Sequence, residues 1–117
     1  MSFRDRVNAI AGQMPGAELT HPWDGQHDAW KVGGKMFTCK GSVNPGVSVK
    51  TPDIETAEML IEAGAAQKAP YFHRSWVHLS EDVGEDELRH RIEVSYDCVR
   101  AGLTKKAQAA LPEREGG

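Results

Sequence analysis

Apolar residues recur along this chain with two different periods. Phe3, Val7, Ile10 and Met14 are spaced by four, three and four positions, the stripe of an amphipathic helix. Ser2 is placed to N-cap that helix, and Pro15-Gly16 stops it near Met14 because proline disfavours helical backbone in its predecessor. From Ala29 the period falls to two. Two mixed apolar and basic runs flank Gly33-Gly34, a pair suited to a two-residue hairpin turn, since glycine reaches positive φ without a Cβ clash. That turn pairs Val32 with Lys35, Lys31 with Met36, Trp30 with Phe37 and Ala29 with Thr38. Trp30, Val32, Phe37 and Cys39 then form an apolar face, and Lys31, Met36, Thr38 and Lys40 the wetter one. After a loop at 42–46, Val47 and Val49 alternate with Ser48 and Lys50, a third half-buried strand.

The remaining elements are read the same way. Residues 17–21 make a short first strand, and Trp23-Asp24-Gly25-Gln26 a turn into the hairpin. Thr51-Pro52-Asp53 opens a helix with Thr51 as cap, Ile54, Ala57, Leu60 and Ile61 as inner face and Gly64 as stop. Residues 65–72 are irregular or weakly extended. Residues 75–79 form a strand whose inward pair is either Trp76 with His78 or Val77 with Leu79. The clearest helix starts at the acids Glu85, Asp86 and Glu87 and buries Leu88, Ile92, Ser95/Tyr96, Val99 and Leu103. A short terminal turn lies within 105–111. The pattern predicts an α+β fold with a single domain over 1–111 and a flexible tail at 112–117. Its architecture is an antiparallel sheet of four to five strands packed against helices on one face.

Composition narrows the class. At 117 residues the chain buries about two thirds of its unfolded surface. A mean hydropathy of −0.52, with no apolar run of about 20 residues, predicts no membrane span. Residues 1–6 lack the apolar core of a signal peptide, so the expected location is cytoplasmic. Cys39 and Cys98 are too few and too separated for a disulfide framework or zinc site, and are expected to be reduced and buried. The net charge of −3 argues against indiscriminate coating of nucleic acid, while leaving room for a local basic face.

Few residues offer chemistry. The five histidines show no metal-ligand spacing, so neither metal nor cofactor is expected. Neither cysteine has a sequence-local activator, and no phosphate-binding glycine motif follows a strand. An enzyme would need a converging cluster such as His21, Asp24 and His78. Tyr96 is expected to pack inward with its hydroxyl on a partner. The remaining candidate is basic: Lys31, Lys40 and Lys50 on one sheet face, Lys35 at the hairpin tip, and Lys68 and Arg74 before the Trp76 strand.

Several stretches together resemble the MmcQ/YjbR family. They are Pro15-Gly16-Ala17-Glu18, Trp30-Lys31-Val32-Gly33-Gly34-Lys35-Met36-Phe37, Val47-Ser48-Val49-Lys50, Pro70-Tyr71-Phe72, Ser75-Trp76-Val77 and Ser95-Tyr96. The resemblance implies a CyaY/frataxin-like α+β arrangement. It also implies DNA binding through a double-wing motif, the wings here being the Gly33-Gly34 hairpin and the loop carrying Lys68 to Arg74.

Two functions follow as expectations. The first is non-enzymatic binding of double-stranded DNA through Lys31, Lys35, Lys40, Lys50, Lys68 and Arg74. The alternative is a module for a small ligand or protein partner, with a groove around Trp23, Tyr71, Phe72, Trp76 and His78. A monomer or weak dimer is expected in either case.

Overall fold

A computed structural model describes residues 2–22, 27–41 and 45–114. Its elements are α1 (Phe3–Ala11), β1 (Glu18–Thr20), β2 (Asp28–Val32), β3 (Lys35–Lys40), β4 (Val47–Lys50), α2 (Ile54–Glu62), β5 (Gln67–Lys68), β6 (Trp76–Leu79), α3 (Glu85–Ala101) and α4 (Lys105–Ala109). The strands form one antiparallel sheet in the order β1-β2-β3-β4-β6-β5. It has six strands, against the four to five expected, because the weakly extended stretch supplies β5. The turn read at 23–26 and most of the loop read at 42–46 lie outside the described residues.

Helix termini follow local chemistry. The Ser2 hydroxyl accepts from the Asp5 amide at 3.1 Å. At α2 the cap is Asp53, not Thr51: the Asp53 carboxylate accepts from the Thr56 amide at 2.7 Å. Thr51 instead donates its hydroxyl to the Ser75 carbonyl at 2.7 Å, tying the start of α2 to β6. Of the inner face expected for α2, Ala57 is buried, Ile54 and Leu60 are half-buried with Leu60 packed on the core, and Ile61 alone is exposed. The cause is position, since α2 packs at the β5–β6 end of the sheet rather than across it.

The core lies between α3 and the sheet. α3 crosses β2, β3 and β4, and buries Leu88, Ile92, Ser95, Tyr96 and Val99 along one stripe. Val32, Phe37, Val47, Val49, Val77 and Leu79 meet it from the strands, and Val7, Ile10 and Met14 join from α1 and the turn beyond it. Each such large side chain contributes about 1.5–3 kcal/mol by leaving water. Val77 and Leu79 are thus the inward pair of β6. Tyr96 meets Phe37 edge-on at 5.3 Å, and its hydroxyl donates to the Pro15 carbonyl at 2.5 Å.

The hairpin departs from the regular register. Val32 still pairs with Lys35 and Lys31 with Met36, but Trp30 pairs with Thr38, Ala29 with Cys39 and Asp28 with Lys40. Phe37 is the extra residue of a β-bulge. Every side chain beyond it therefore exchanges faces relative to the expectation. Thr38 turns toward the helices and is fully buried, Cys39 turns to the opposite face, and Lys40 leaves the wetter face for the helix side. There the Lys40 ammonium lies 6.0 Å from the Phe3 ring centroid.

On the other side of β3, its pairing with β4 covers Thr38–Val49 and Cys39–Ser48, and α3 supplies a link at the next position. The buried Ser95 hydroxyl donates to the Phe37 carbonyl at 2.5 Å and accepts from the Lys50 amide at 2.8 Å. One helix side chain thereby bridges β3 and β4 where their ladder opens. Thr38 has no such help, and its buried hydroxyl has no hydrogen-bond partner.

In the C-terminal segment, Arg100 donates to the Pro112 carbonyl at 2.7 Å, and Arg114 lies 3.0 Å from Asp97. Both contacts tie the described residues 112–114 back to α3.

The bulge makes two opposite stability predictions. Ser95→Ala leaves two buried backbone groups unpartnered and should cost about 2–5 kcal/mol in urea denaturation. Thr38→Val removes a polar atom that has no partner and should be neutral or stabilising by about 1 kcal/mol.

Candidate functional site

On the sheet face opposite the helices, one cross-strand row runs through all six strands. Thr20 pairs with Ala29, Ala29 with Cys39, Cys39 with Ser48, Ser48 with His78, and His78 with Gln67. Small side chains at its centre keep this surface low. Segments at its margins rise above it: His27 and Gly41 at the strand ends, Pro45 before β4, and Pro70-Tyr71-Phe72 in the β5–β6 connection. Together they enclose an open groove of about 710 Å³. That size lies within the range of small-molecule sites.

Hydrogen bonds fix the floor. The His78 Nε2–H donates to the Pro45 carbonyl at 2.6 Å, because a carbonyl can only accept. Its Nδ1 is then the acceptor for the Ser48 hydroxyl at 3.0 Å. The pair anchors the chain before β4 onto β6. Gly46 is required beside it: φ is +94°, and a Cβ there would come within 2.1 Å of the Leu79 carbonyl oxygen and 2.6 Å of His78. Burial pushes the Cys39 thiol above its ordinary pKa, and Asp28 adds to the rise. Burial raises Cys98 as well, so both remain thiols rather than nucleophilic thiolates at neutral pH.

The aromatic wall is built differently. Phe72 stacks on Trp76, centroids 4.6 Å apart with planes inclined by 22°. Tyr71 is fully solvent-exposed, at 103% relative accessibility, and holds φ at +72°, a conformation rare for a bulky residue. Among the described residues it is the one non-glycine with positive φ. Strain of this kind, about 1–3 kcal/mol, is concentrated at ligand clamps and switch regions.

The predicted site residues divide. Tyr71, Phe72, His78 and Lys68 line the groove, whereas Trp76 stands behind Phe72. Trp23 and Asp24 lie outside the described residues. Lys31 and Lys50 are on the open face, with the Lys50 ammonium donating to the Ser75 hydroxyl at 3.0 Å. Lys35 is at the hairpin tip, Lys40 is on the helix side, and Arg74 is ion-paired to Glu58 at 2.7 Å. The six cations therefore do not form one surface. His21 and His78 are not joined: His21 contacts Asp28 and the His27 carbonyl, while His78 contacts Ser48 and Pro45. Sequence reasoning missed Cys39, Gln67 and Ser48 as groove residues. Ser48 had a signal, since Val47 and Val49 point inward around it; Cys39 had none without the bulge.

The YjbR family model matches residues 12–98. The chain belongs to the YjbR family. The matched span contains every groove residue and Ser95. A solved YjbR-like structure, the Deinococcus radiodurans protein DR2400 with its DUF419 domain, superposes with a TM-score of 0.84 at 25% identity. That match covers 100% of this chain and 95% of the other. The Escherichia coli O157:H7 "Uncharacterized protein YbdF" is 25% identical over 114 residues, 92% of each chain. This family fold is thus the frame that holds the groove.

One buried charge lies behind the site, on the helix side. Asp28, 1% exposed, receives two bonds from Arg4 at 2.5 and 2.8 Å and one from Asn8 at 3.2 Å. Asn8 in turn accepts from the Trp30 indole N–H at 2.9 Å. The Arg4 hydrogen bonds hold the Asp28 carboxyl below the usual carboxylate range. A depressed folded-state pKa contributes stability above the unfolded value of about 3.9, which is lost as pH falls through the lower folded value. Arg4→Met should destabilise the fold near neutrality by leaving the buried carboxylate under-partnered. In urea denaturation the gap to wild type should close as pH falls from about 5 to about 2.

Proposed function

We propose that this YjbR-family domain is a non-enzymatic binding module whose site is the groove on the open sheet face. The observation that carries this reading is the meeting of a low polar floor, Cys39–Ser48–His78–Gln67, with a wall from which Tyr71 projects in a strained conformation. Mostly apolar walls with a few fixed polar groups are the usual make-up of small-ligand sites. Phe72, backed by Trp76, gives the wall a rigid base.

The test is a fluorescence titration with the neutral aromatic probe N-phenyl-1-naphthylamine. Saturable one-to-one enhancement is expected. Gly41→Phe should abolish it: Gly41 lines the groove, and a Cβ there meets the His27 ring at an ordinary 3.5 Å. Tyr71→Ala should weaken it. Absence of saturable binding, or binding indifferent to both changes, would contradict the reading.

Duplex DNA is the second reading. One observation favours it: among the described residues none of Lys31, Lys35 and Lys68 is held in an ion pair, leaving them available to phosphate. It predicts that a mixed-sequence duplex binds at about 50 mM salt, with affinity falling steeply as salt rises. Fluorescence anisotropy should then show loss of binding in the Lys31→Glu/Lys50→Glu double variant. No binding at tens of micromolar protein would exclude this reading and leave the groove untouched.

A further inference from the structure

We propose that the groove selects a small planar aromatic anion, with its ring beside Tyr71 and its charged group at the β5 rim. The inference rests on the groove being a binding site and adds the chemistry of what enters it. Charge complementarity carries it. The chain holds 17 acids against 14 lysines and arginines, yet among the described residues none that lines the groove is Asp or Glu. The fixed charge among them is Lys68.

Donor placement gives the orientation. Deep in the floor, the His78 N–H is committed to Pro45 and the Ser48 O–H to His78, so this pair offers a ligand only the Ser48 oxygen, an acceptor. An anion placed there would face a lone pair and an uncharged thiol. Gln67 and Lys68 are different: both are exposed on the edge strand β5 and both supply N–H donors, Gln67 on the groove face opposite His78, and Lys68, which pairs with the inward Val77, where the strand's free edge borders the groove. An anionic group is best satisfied at this rim, where a charge-assisted bond to Lys68 is stronger than a neutral one. The ring then extends over the small side chains of the floor, against the aromatic wall. Tyr71 is the one fully exposed large hydrophobic side chain among the described residues, and a bound ring would give its exposed face a partner.

The experiment compares two probes of nearly the same shape on the full chain. 1-Anilinonaphthalene-8-sulfonate carries the anion, and N-phenyl-1-naphthylamine lacks it. The sulfonate should bind about tenfold more tightly, the scale of one charge-assisted contact. Lys68→Gln should remove that advantage, bringing the two probes to equal affinity. Added salt should likewise weaken only the anionic probe, because the Lys68 contact is at a wet rim. Equal affinity for both probes, or an anion preference that survives Lys68→Gln, would overturn the proposal while leaving the groove as a site. Failure of both probes to bind would remove the groove reading itself.

Discussion

The serine hydroxyl of Ser95 is the constraint on which this structure turns. It stands inside the core, on a helix, and bonds the Phe37 carbonyl of one strand and the Lys50 amide of the next. The bulge lies between β2 and β3; on the other side of β3, the hydroxyl ties Phe37 to Lys50 of β4 beyond the paired residues Thr38–Val49 and Cys39–Ser48. Without such a partner, the Phe37 carbonyl and the Lys50 amide, beyond the last β3–β4 pair, would be left without these bonds. With it, Phe37 can enter the core against Tyr96, and the strand can continue in altered register.

That change of register produces the groove. Past Phe37, Thr38 is carried inward and Cys39 outward, so a small thiol lies where a regular strand would have placed a threonine. Cys39 then completes a row of small and polar side chains from Thr20 to Gln67. The buried, unpartnered Thr38 hydroxyl is the cost of the arrangement. The same change takes Lys40 from the open face to the neighbourhood of Phe3, which breaks the lysine row and leaves the groove with Lys68 as its fixed cation.

The sequence made much of this legible where a local rule decides the outcome. Glycine at Gly33-Gly34 places the turn, alternation around Ser48 sets the face of β4, and the period of α3 marks Ser95 and Tyr96 as inward. The resemblance at Pro70-Tyr71-Phe72 and Ser95-Tyr96 pointed to the family. What was not legible depended on a contact between distant segments. The Ser95–Phe37 bond joins residues 58 positions apart, and no periodicity reports that or the bulge beside it. The exposure of Ile61 depends on where α2 docks, not on its own pattern. β5 is two residues long, too short to carry an alternation signal.

Cys39 can be located directly by NMR through its neighbour across the hairpin. With the bulge in place, the Ala29 methyl should show a strong nuclear Overhauser effect to the Cys39 β-protons, since these two residues are paired. A regular hairpin instead pairs Ala29 with Thr38. Observation of the Ala29–Cys39 contact, with Thr38 seen against Trp30 and Val49, is the predicted result. A dominant Ala29–Thr38 contact would place Cys39 on the helix side and contradict the origin given for the groove.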